Sequence, residues 1–542
     1  MNAGTATAMA GGGQGRPVIT LPGLPATVGF PMDTDAVVAE MLRRASSAGF
    51  GQWWRRAESV GFCAHPIQLT GTDRFGRQQI VWTRCNNRRA QVCPSCSDLY
   101  ARDTWQLVHA GAAGGHHDIP ATVSRHPQVF VTLTAPGFGP VHNAAGNTCR
   151  DHHPHGAYIR CQHGKPLWCS VSHDYEDEQV GQPFCGDCYD YLSHVLFTWH
   201  MPELWRRFTI ALRRAVRQSL KSAGVAADSV RVSFVKVVEM QARAVPHIHA
   251  LIRLDPADAD TTGPGEHTAH GPAATCGGGE PRRATQPEWQ SPVTAVELAT
   301  LINKTVRHIA ITVPDPCLGC DGNTAEAGTV VVRFGTQIDT QPVTGDPSAA
   351  PDNSDGARTA DGMSARRVAR YLAKYVTKSL HDFGIAARRL SAEAIACLDV
   401  SEHIRTILTT LADLADCAAA RPDGGSPWAG IGRWLHTLGY RGHITTKSRH
   451  YSTTMTTLRA ARAQWTRDRN ADAKSVVGQS HRDDAREMID WEFDQAGHTT
   501  IGDRVLAVSA SLRYIDSRRT GLVEARSQPC DLEWDRPRAR DD

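Results

Sequence analysis

The chain has 542 residues, with 59 Lys and Arg against 56 Asp and Glu, and a formal net charge of only +3, so global charge says little about nucleic acid. Its length suits roughly three or four domains, ample for a sizeable core. No apolar run approaches the ~18 residues of a membrane span and the N-terminus lacks a charged-then-apolar signal pattern, which makes the cytoplasm the expected compartment and a membrane partner unexpected.

Residues 1 to about 35 are rich in Gly, Ala and Thr and read as a mobile tail, part of a lead-in that runs to residue 50. A zinc-knuckle module is expected over 51–126. Within it Cys93-Pro-Ser-Cys96 can offer two thiolates from one turn, and Cys63 and Cys85 can complete a tetrahedral site, with His65 as a rival to Cys63. Residues 129–134 form a β-branched run ended by Ala135-Pro-Gly137 and read as the first strand of a sheet. A Cys/His-rich insertion at about 141–192 follows. There Cys185-Gly-Asp-Cys188 repeats the knuckle, with Cys161 and Cys169 as its upstream partners and His163 as a rival to Cys161.

Fifteen cysteines in a cytoplasmic chain suit metal ligation better than a disulfide framework. Closed sites of four ligands stabilise a fold rather than catalyse, and about two structural Zn²⁺ are expected. Cys317-Leu-Gly-Cys320 is a third pair for which Cys276 is the available partner. Cys397, Cys417 and Cys530 read as ordinary small residues.

Next comes an amphipathic helix near 200–222, on which Arg206, Arg207, Arg213, Arg214, Arg217 and Lys221 crowd together. Such a run is either a solvated face or a track for phosphates. Residues 229–240 read as a strand that a short turn carries into Val245-Pro-His-Ile-His-Ala-Leu-Ile-Arg-Leu-Asp255, so the two should pair as antiparallel neighbours. Successive side chains alternate faces in a strand, which puts His247 and His249 on one face. The same pairing brings Glu239 to them. Buried imidazoles need partners, and the choice lies between backbone carbonyls and a divalent metal.

Two stretches full of Gly, Pro, Asp and Thr, 256–290 and 340–362, read as poorly ordered excursions, with a helix at 293–311 and a strand at 329–333 between them. Ala365-Arg-Arg-Val-Ala-Arg-Tyr-Leu-Ala-Lys-Tyr-Val-Thr-Lys-Ser379 reads as a helix with Tyr371 and Tyr375 one above the other, flanked by Arg367, Lys374 and Lys378, while Val368, Leu372 and Val376 face inward. Helical patterns dominate 388–470. The last seventy or so residues are sparse in signals.

These motifs resemble those of the HUH endonucleases, and the chain looks like a rolling-circle replication initiator of actinobacterial plasmids and integrative elements. The resemblance runs from about Gly61 to Trp465. It rests on the ordered set of the Cys85 to Cys96 block, 130–134, the Cys185 knuckle, Pro246-His-Ile-His249, Phe334-Gly-Thr-Gln-Ile-Asp339, Tyr371-Leu-Ala-Lys-Tyr375 and Gly439-Tyr-Arg-Gly-His443. It implies an α+β fold, a palm-like antiparallel sheet with packed helices on one side, the zinc-knuckle modules and a mainly helical C-terminal region. The expected division is a tail at 1–50, the knuckle module at 51–126, a nicking domain at 127–382 and the C-terminal region at 383–542.

The resemblance further implies a catalytic Mg²⁺ or Mn²⁺ on His247, His249 and Glu239, with Asp339 left without a role. Tyr375 would attack the origin strand to give a 5′-phosphotyrosyl enzyme and a 3′-OH primer, and Lys374 and Lys378 would stabilise its phenolate. Tyr371, where some related initiators have Glu, resembles the two-tyrosine pattern of phage gene A proteins and would act at termination. Which tyrosine acts first stays open. Origin DNA, a host helicase and a host polymerase are the implied partners. Arg441, His443, Lys447 and Arg449 are candidate phosphate contacts with Tyr440 stacking on a base, or else the block is a polar loop. The rival readings are a relaxase or transposase of the same chemistry, a non-catalytic zinc-dependent DNA-binding protein, and a zinc hydrolase using His247 and His249.

Overall fold

The computed structural model describes residues 33–73, 75–144, 149, 159–175, 177–257, 289–316, 328–344, 363–376, 383, 385, 390–419, 426–476 and 489–527. The expected tail up to residue 32, most of both low-complexity stretches, and Cys276, Cys317, Cys320, Lys378 and Cys530 lie outside these residues.

The chain opens with helices α1 (Thr34–Ala45), whose first turn is capped by the Asp33 carboxylate, and α2 (Phe50–Ser59). Strands β1 (Ile67–Thr72) and β2 (Gln78–Thr83) precede α3 (Pro94–Ala113), and β3 (Gln128–Leu133) follows it. Helix α4 (Tyr191–Ser222) starts earlier than its periodicity suggests, because Asp190 caps it by accepting from the Ser193 N–H. Then come β4 (Val230–Met240), β5 (Pro246–Pro256) and α5 (Ala295–Arg307), the last closed by a reciprocal Thr294 and Glu297 capping box. The helix expected to reach residue 311 stops sooner, and Ala310–Pro314 is instead strand β6, paired with β7 (Thr329–Arg333). Strand β8 (Ile338–Thr344) takes up the start of an expected loop, since Val343 and its neighbours pair on both sides. The rest comprises β9 (Met363–Ser364), α6 (Ala365–Tyr375), α7 (Ala392–Ala396), α8 (Glu402–Ala419), β10 (Thr445–Lys447), α9 (Met455–Val476), β11 (Glu492–Ala496) and α10 (Ile501–Ser527). No helix among the described residues is long and apolar enough to cross a membrane.

Two compact units result, one of Met1–Tyr100 with Val477–Asp542 and one of Ala101–Val476. The first differs from the expected division, in which everything after 383 formed one region. Strand β11 pairs antiparallel with β1 in a sheet of order β11-β1-β2. On α10, Asp503 is buried and accepts two hydrogen bonds of 2.7 Å from Arg44 of α1. The end of the chain thus completes an N-terminal sheet too small to bury its own faces, a non-local pairing invisible to periodicity.

In the second unit the sheet has order β10-β4-β5-β3-β8-β9, antiparallel except for the parallel pair β8 and β9. Across it Val237, His249, Thr132 and Asp339 are successive register partners and therefore share a face. The opposite face carries Val129, Val131, Leu133, Ile248, Ile252 and Leu254, all nearly inaccessible, in the same apolar cluster as residues of α4 and α5. Helices cover both faces rather than one: α6 packs across β4 and β5, and Val368, Leu372 and the C-capping Val376 are each fully buried as their spacing requires.

Candidate active site

The β4–β5 hairpin sets Glu239 opposite His247, and His249 is the next residue on that face. The Glu239 Oε2 atom lies 3.0 Å from His247 Nε2 and 3.1 Å from His249 Nε2, and the two nitrogens are 2.7 Å apart. Three electron-rich atoms converging in a largely buried place repel one another unless a cation or proton sits between them. An octahedral ion with bonds of about 2.1 Å has neighbouring ligands about 3.0 Å apart, close to the two separations that involve the carboxylate. Thr132 Oγ1 is 3.1 Å from His249 Nδ1; in the Nδ1–H tautomer it accepts from that nitrogen, and the Nε2 lone pair then faces the cluster.

The turn that holds this hairpin is itself held. Ala244 has a left-handed φ of 61°, a conformation that costs a β-carbon-bearing residue about 1–2 kcal/mol. Its carbonyl accepts from His194 Nε2 of α4 at 3.2 Å, and the Arg243 carbonyl accepts from His403 Nε2 of α8 at 3.0 Å. The Tyr189 hydroxyl, 3.1 Å away, donates to His194 Nδ1. Burial drives His194 down to about 3, so both its nitrogens are committed in the neutral ring.

The tyrosine helix lies on the same face. Its N-terminus is fixed by Ser364, which accepts from the Arg367 N–H at 3.3 Å. The Tyr371 ring stands edge-on to His249, with centroids 4.9 Å apart at 86°, and to Phe130, 5.5 Å apart at 81°. Tyr375 closes the helix one turn later; its side chain lies outside the described residues, as does Lys378. Lys374 is exposed. Asp339 sits two strands from His249 in the register and accepts from Gln341 Nε2.

The thiolate clusters are of a different kind. Cys63, Cys85, Cys93 and Cys96 come together as expected, with Sγ atoms 3.6 to 3.7 Å apart for Cys63–Cys93, Cys63–Cys96 and Cys85–Cys96, and all four within 4.8 Å. A disulfide needs about 2.05 Å, whereas a tetrahedral ion with 2.3 Å bonds to sulfur sets its ligands about 3.8 Å apart. Backbone N–H groups of Ala64, Cys85 and Asn87 point at these sulfurs, as thiolates require. The second expected set is corrected. Cys161, Cys185 and Cys188 are joined by His163, not by Cys169, and His163 Nδ1 lies 3.3 Å from Cys188 Sγ and 3.6 Å from Cys185 Sγ. Cys169 instead meets His142, Cys149 and His173. Sequence reasoning misses those three, although Cys169-x-x-x-His173 carries ligand spacing.

The Gly439 to Tyr451 block is neither a polar loop nor wholly a DNA grip. It carries strand β10 into the main sheet, where Thr445 pairs with Val237. Tyr440 is buried and its hydroxyl donates to the His443 carbonyl at 3.0 Å, so it has no face to offer a base. Lys447 spends its ammonium on the carbonyls of Ser448, Arg449 and Ser452. Arg441, His443 and Arg449 remain exposed, Arg441 with its guanidinium 4.3 Å from the centroid of the Trp199 ring. On α4, Arg206 and Arg207 both pair with Glu203, while Arg213, Arg214, Arg217 and Lys221 are exposed.

The chain matches the protein family described as "Replication initiator protein, pSAM2" (RepSA) over residues 49–511. It is similar to a "Replication initiator protein" of Streptomyces ambofaciens, 33% identical over 515 residues, which cover 91% of this chain and 96% of that protein. No solved structure matches.

Proposed function

The chain belongs to the RepSA family of replication initiator proteins, and from that premise we propose that it initiates rolling-circle replication by nicking one strand of its element's origin, as an HUH endonuclease. The observation that carries the reading is the meeting of Glu239, His247 and His249 on one sheet face with the tyrosine helix laid across it, Tyr371 against His249.

Two imidazoles and one carboxylate fit Mg²⁺ or Mn²⁺ with positions left open. When bound, such an ion would polarise the scissile phosphate and orient its oxygens. The remaining work falls to side chains. A phenol has a pKa near 10 and is a weak nucleophile until its anion is stabilised, a role for Lys374, its neighbour in sequence, and for Lys378 three residues further along the chain. The Tyr375 phenol gives its proton to water and Oη attacks phosphorus; the Oη–P bond forms, the P–O3′ bond breaks, and the 3′-oxygen takes a proton back from water to become a 3′-OH that primes a host polymerase. One phosphodiester replaces another, so no ATP is consumed. Tyr371, one turn away, serves the second transfer that rejoins the strand. The Cys63, Cys85, Cys93, Cys96 set and the Cys161, His163, Cys185, Cys188 set hold structural Zn²⁺. Exposed Arg213, Arg214 and Arg217 of α4 and Arg449 are among the cations available for phosphates.

Purified protein incubated with supercoiled origin DNA and Mn²⁺ or Mg²⁺ should give site-specific nicks with protein attached to the 5′ end. Nicks without covalent protein would favour a hydrolase, and origin binding without nicks would favour the non-catalytic zinc-dependent alternative.

A further inference from the structure

We infer that a third structural Zn²⁺ site, of Cys₂His₂ type, is formed by His142, Cys149, Cys169 and His173, and that it braces the hairpin turn next to Glu239 and His247. The ligand atoms have the separations of such a site. His142 Nδ1 and His173 Nε2 are 3.2 Å apart, Cys149 Sγ is 3.6 Å from His142 Nδ1, and Cys169 Sγ is 3.4 Å from His173 Nε2. A tetrahedral zinc with nitrogens at about 2.0–2.1 Å and sulfurs at about 2.3 Å spaces its ligands about 3.4 Å (N to N) and 3.5 Å (N to S) apart.

The surroundings are those of a metal site rather than of a polar contact. His173 Nδ1 donates to Asp177 Oδ2 at 2.7 Å, which fixes the tautomer and turns the Nε2 lone pair inward, the carboxylate–histidine arrangement of zinc proteins. The Asn143 and Val171 N–H groups point at the sulfurs of Cys149 and Cys169, as they do in the Cys63 cluster. Cys149 is 2% and His173 5% exposed. Among the described residues, the insertion between β3 and α4 has one short 3₁₀ turn (Gly186–Cys188) and two isolated bridges, so secondary structure and an apolar core do not account for its order.

The link to the hairpin is backbone to backbone. His142 exchanges hydrogen bonds with residues 181 and 182, its carbonyl accepting from Gly181 N–H at 2.8 Å and its N–H donating to Gln182 O at 2.9 Å. Gly181 has φ +90° and lies so close to the turn that a Cβ there would fall 2.3 Å from the Ala242 carbonyl carbon. Fixing His142 therefore fixes the wall against which the Gln241 to Val245 turn rests.

The tests read metal rather than nicking, so they stand apart from the proposed function. The Cys149→Ser/Cys169→Ser double variant of the full chain should contain one zinc atom fewer than wild type by elemental analysis; equal zinc content overturns the site. Should that variant fail to fold, Asp177→Asn keeps all four ligands and alters only the orientation of His173. Titrated with a chromophoric chelator, it should release one equivalent of zinc about 10-fold or more faster than wild type, with the other equivalents unchanged. A release trace identical to wild type overturns the site as well. Hydrogen exchange tests the brace: amides of residues 241–245 should exchange faster in Asp177→Asn after that equivalent has been removed than in protein retaining it. Equal exchange would confine the ion to its own loop and overturn the bracing.

Discussion

The thiolate clusters and the Glu239, His247, His249 cluster each bring metal-ligating atoms together, yet they differ in donor type and in closure. Each thiolate set offers four ligands drawn mainly from loops, with Cys96 in the first turn of α3, so an ion there would have no vacant position and could only hold these segments together. The histidine set offers three ligands from two paired strands, open toward the tyrosine helix. Rigid strands are the better platform for chemistry because register alone fixes ligand spacing, whereas loops need the ion itself to define their shape.

The sharpest way to break this comparison is at the nucleophile. Tyr375→Phe should lower origin cleavage by several orders of magnitude while origin binding and zinc content stay as in wild type; cleavage at the wild-type rate sinks the assignment. Tyr371→Phe should spare the first nick and impair strand rejoining.

Next in size is the open site. His247→Ala or His249→Ala should abolish nicking without loss of zinc, and mild chelation should do the same reversibly. Full cleavage after complete chelation would remove the catalytic metal from the account. Glu239→Ala should be milder, since water can occupy its position.

A closed site should behave in the opposite way. Cys93→Ser should cost one zinc and lower Tm by about 10 °C, because zinc binding there contributes directly to folding. If Cys93→Ser melts like wild type, the cluster is not structural.

A finer distinction tests how the open site is oriented. Thr132→Val removes the acceptor for His249 Nδ1–H and should raise the Mn²⁺ concentration for half-maximal nicking by about 10-fold, with little change at saturating metal. An unchanged metal dependence would make Thr132 a packing residue only.

The smallest effect concerns the hairpin turn. Because the folded His194 titrates near 3, below the unfolded value near 6.5, the unfolded chain binds the proton first. Its contribution to stability is full above pH ~6.5 and declines by about 1.4 kcal/mol per unit as pH falls toward the folded value. His194→Gln should flatten the fall of Tm between pH 6.5 and 5, and an unaltered slope would show that other groups govern it.

Several parts of the site are readable from spacing. Alternation along 245–255 puts His247 and His249 together, the short turn brings Glu239 opposite, and the Val368, Leu372, Val376 spacing marks the buried side of the tyrosine helix. Other parts are not. Tyr440 reads as a base-stacking residue among cations, but β10 carries its block into the sheet and buries it. Spacing groups Cys169 with the wrong knuckle and gives no sign of Cys149 as a ligand.

What the sequence determined by itself was therefore local: strand alternation, helical faces, the compact Cys93 to Cys96 knuckle and the hairpin between β4 and β5. Covalent geometry fixes these within a few residues. Only the tertiary structure decided which distant groups meet: His163 with Cys185 and Cys188, His142 with Cys169, and β11 with β1. The entropic cost of closing a loop rises by only about 0.6 kcal/mol for each doubling of its length, so spacing along the chain barely distinguishes one distant partner from another, and packing makes the choice.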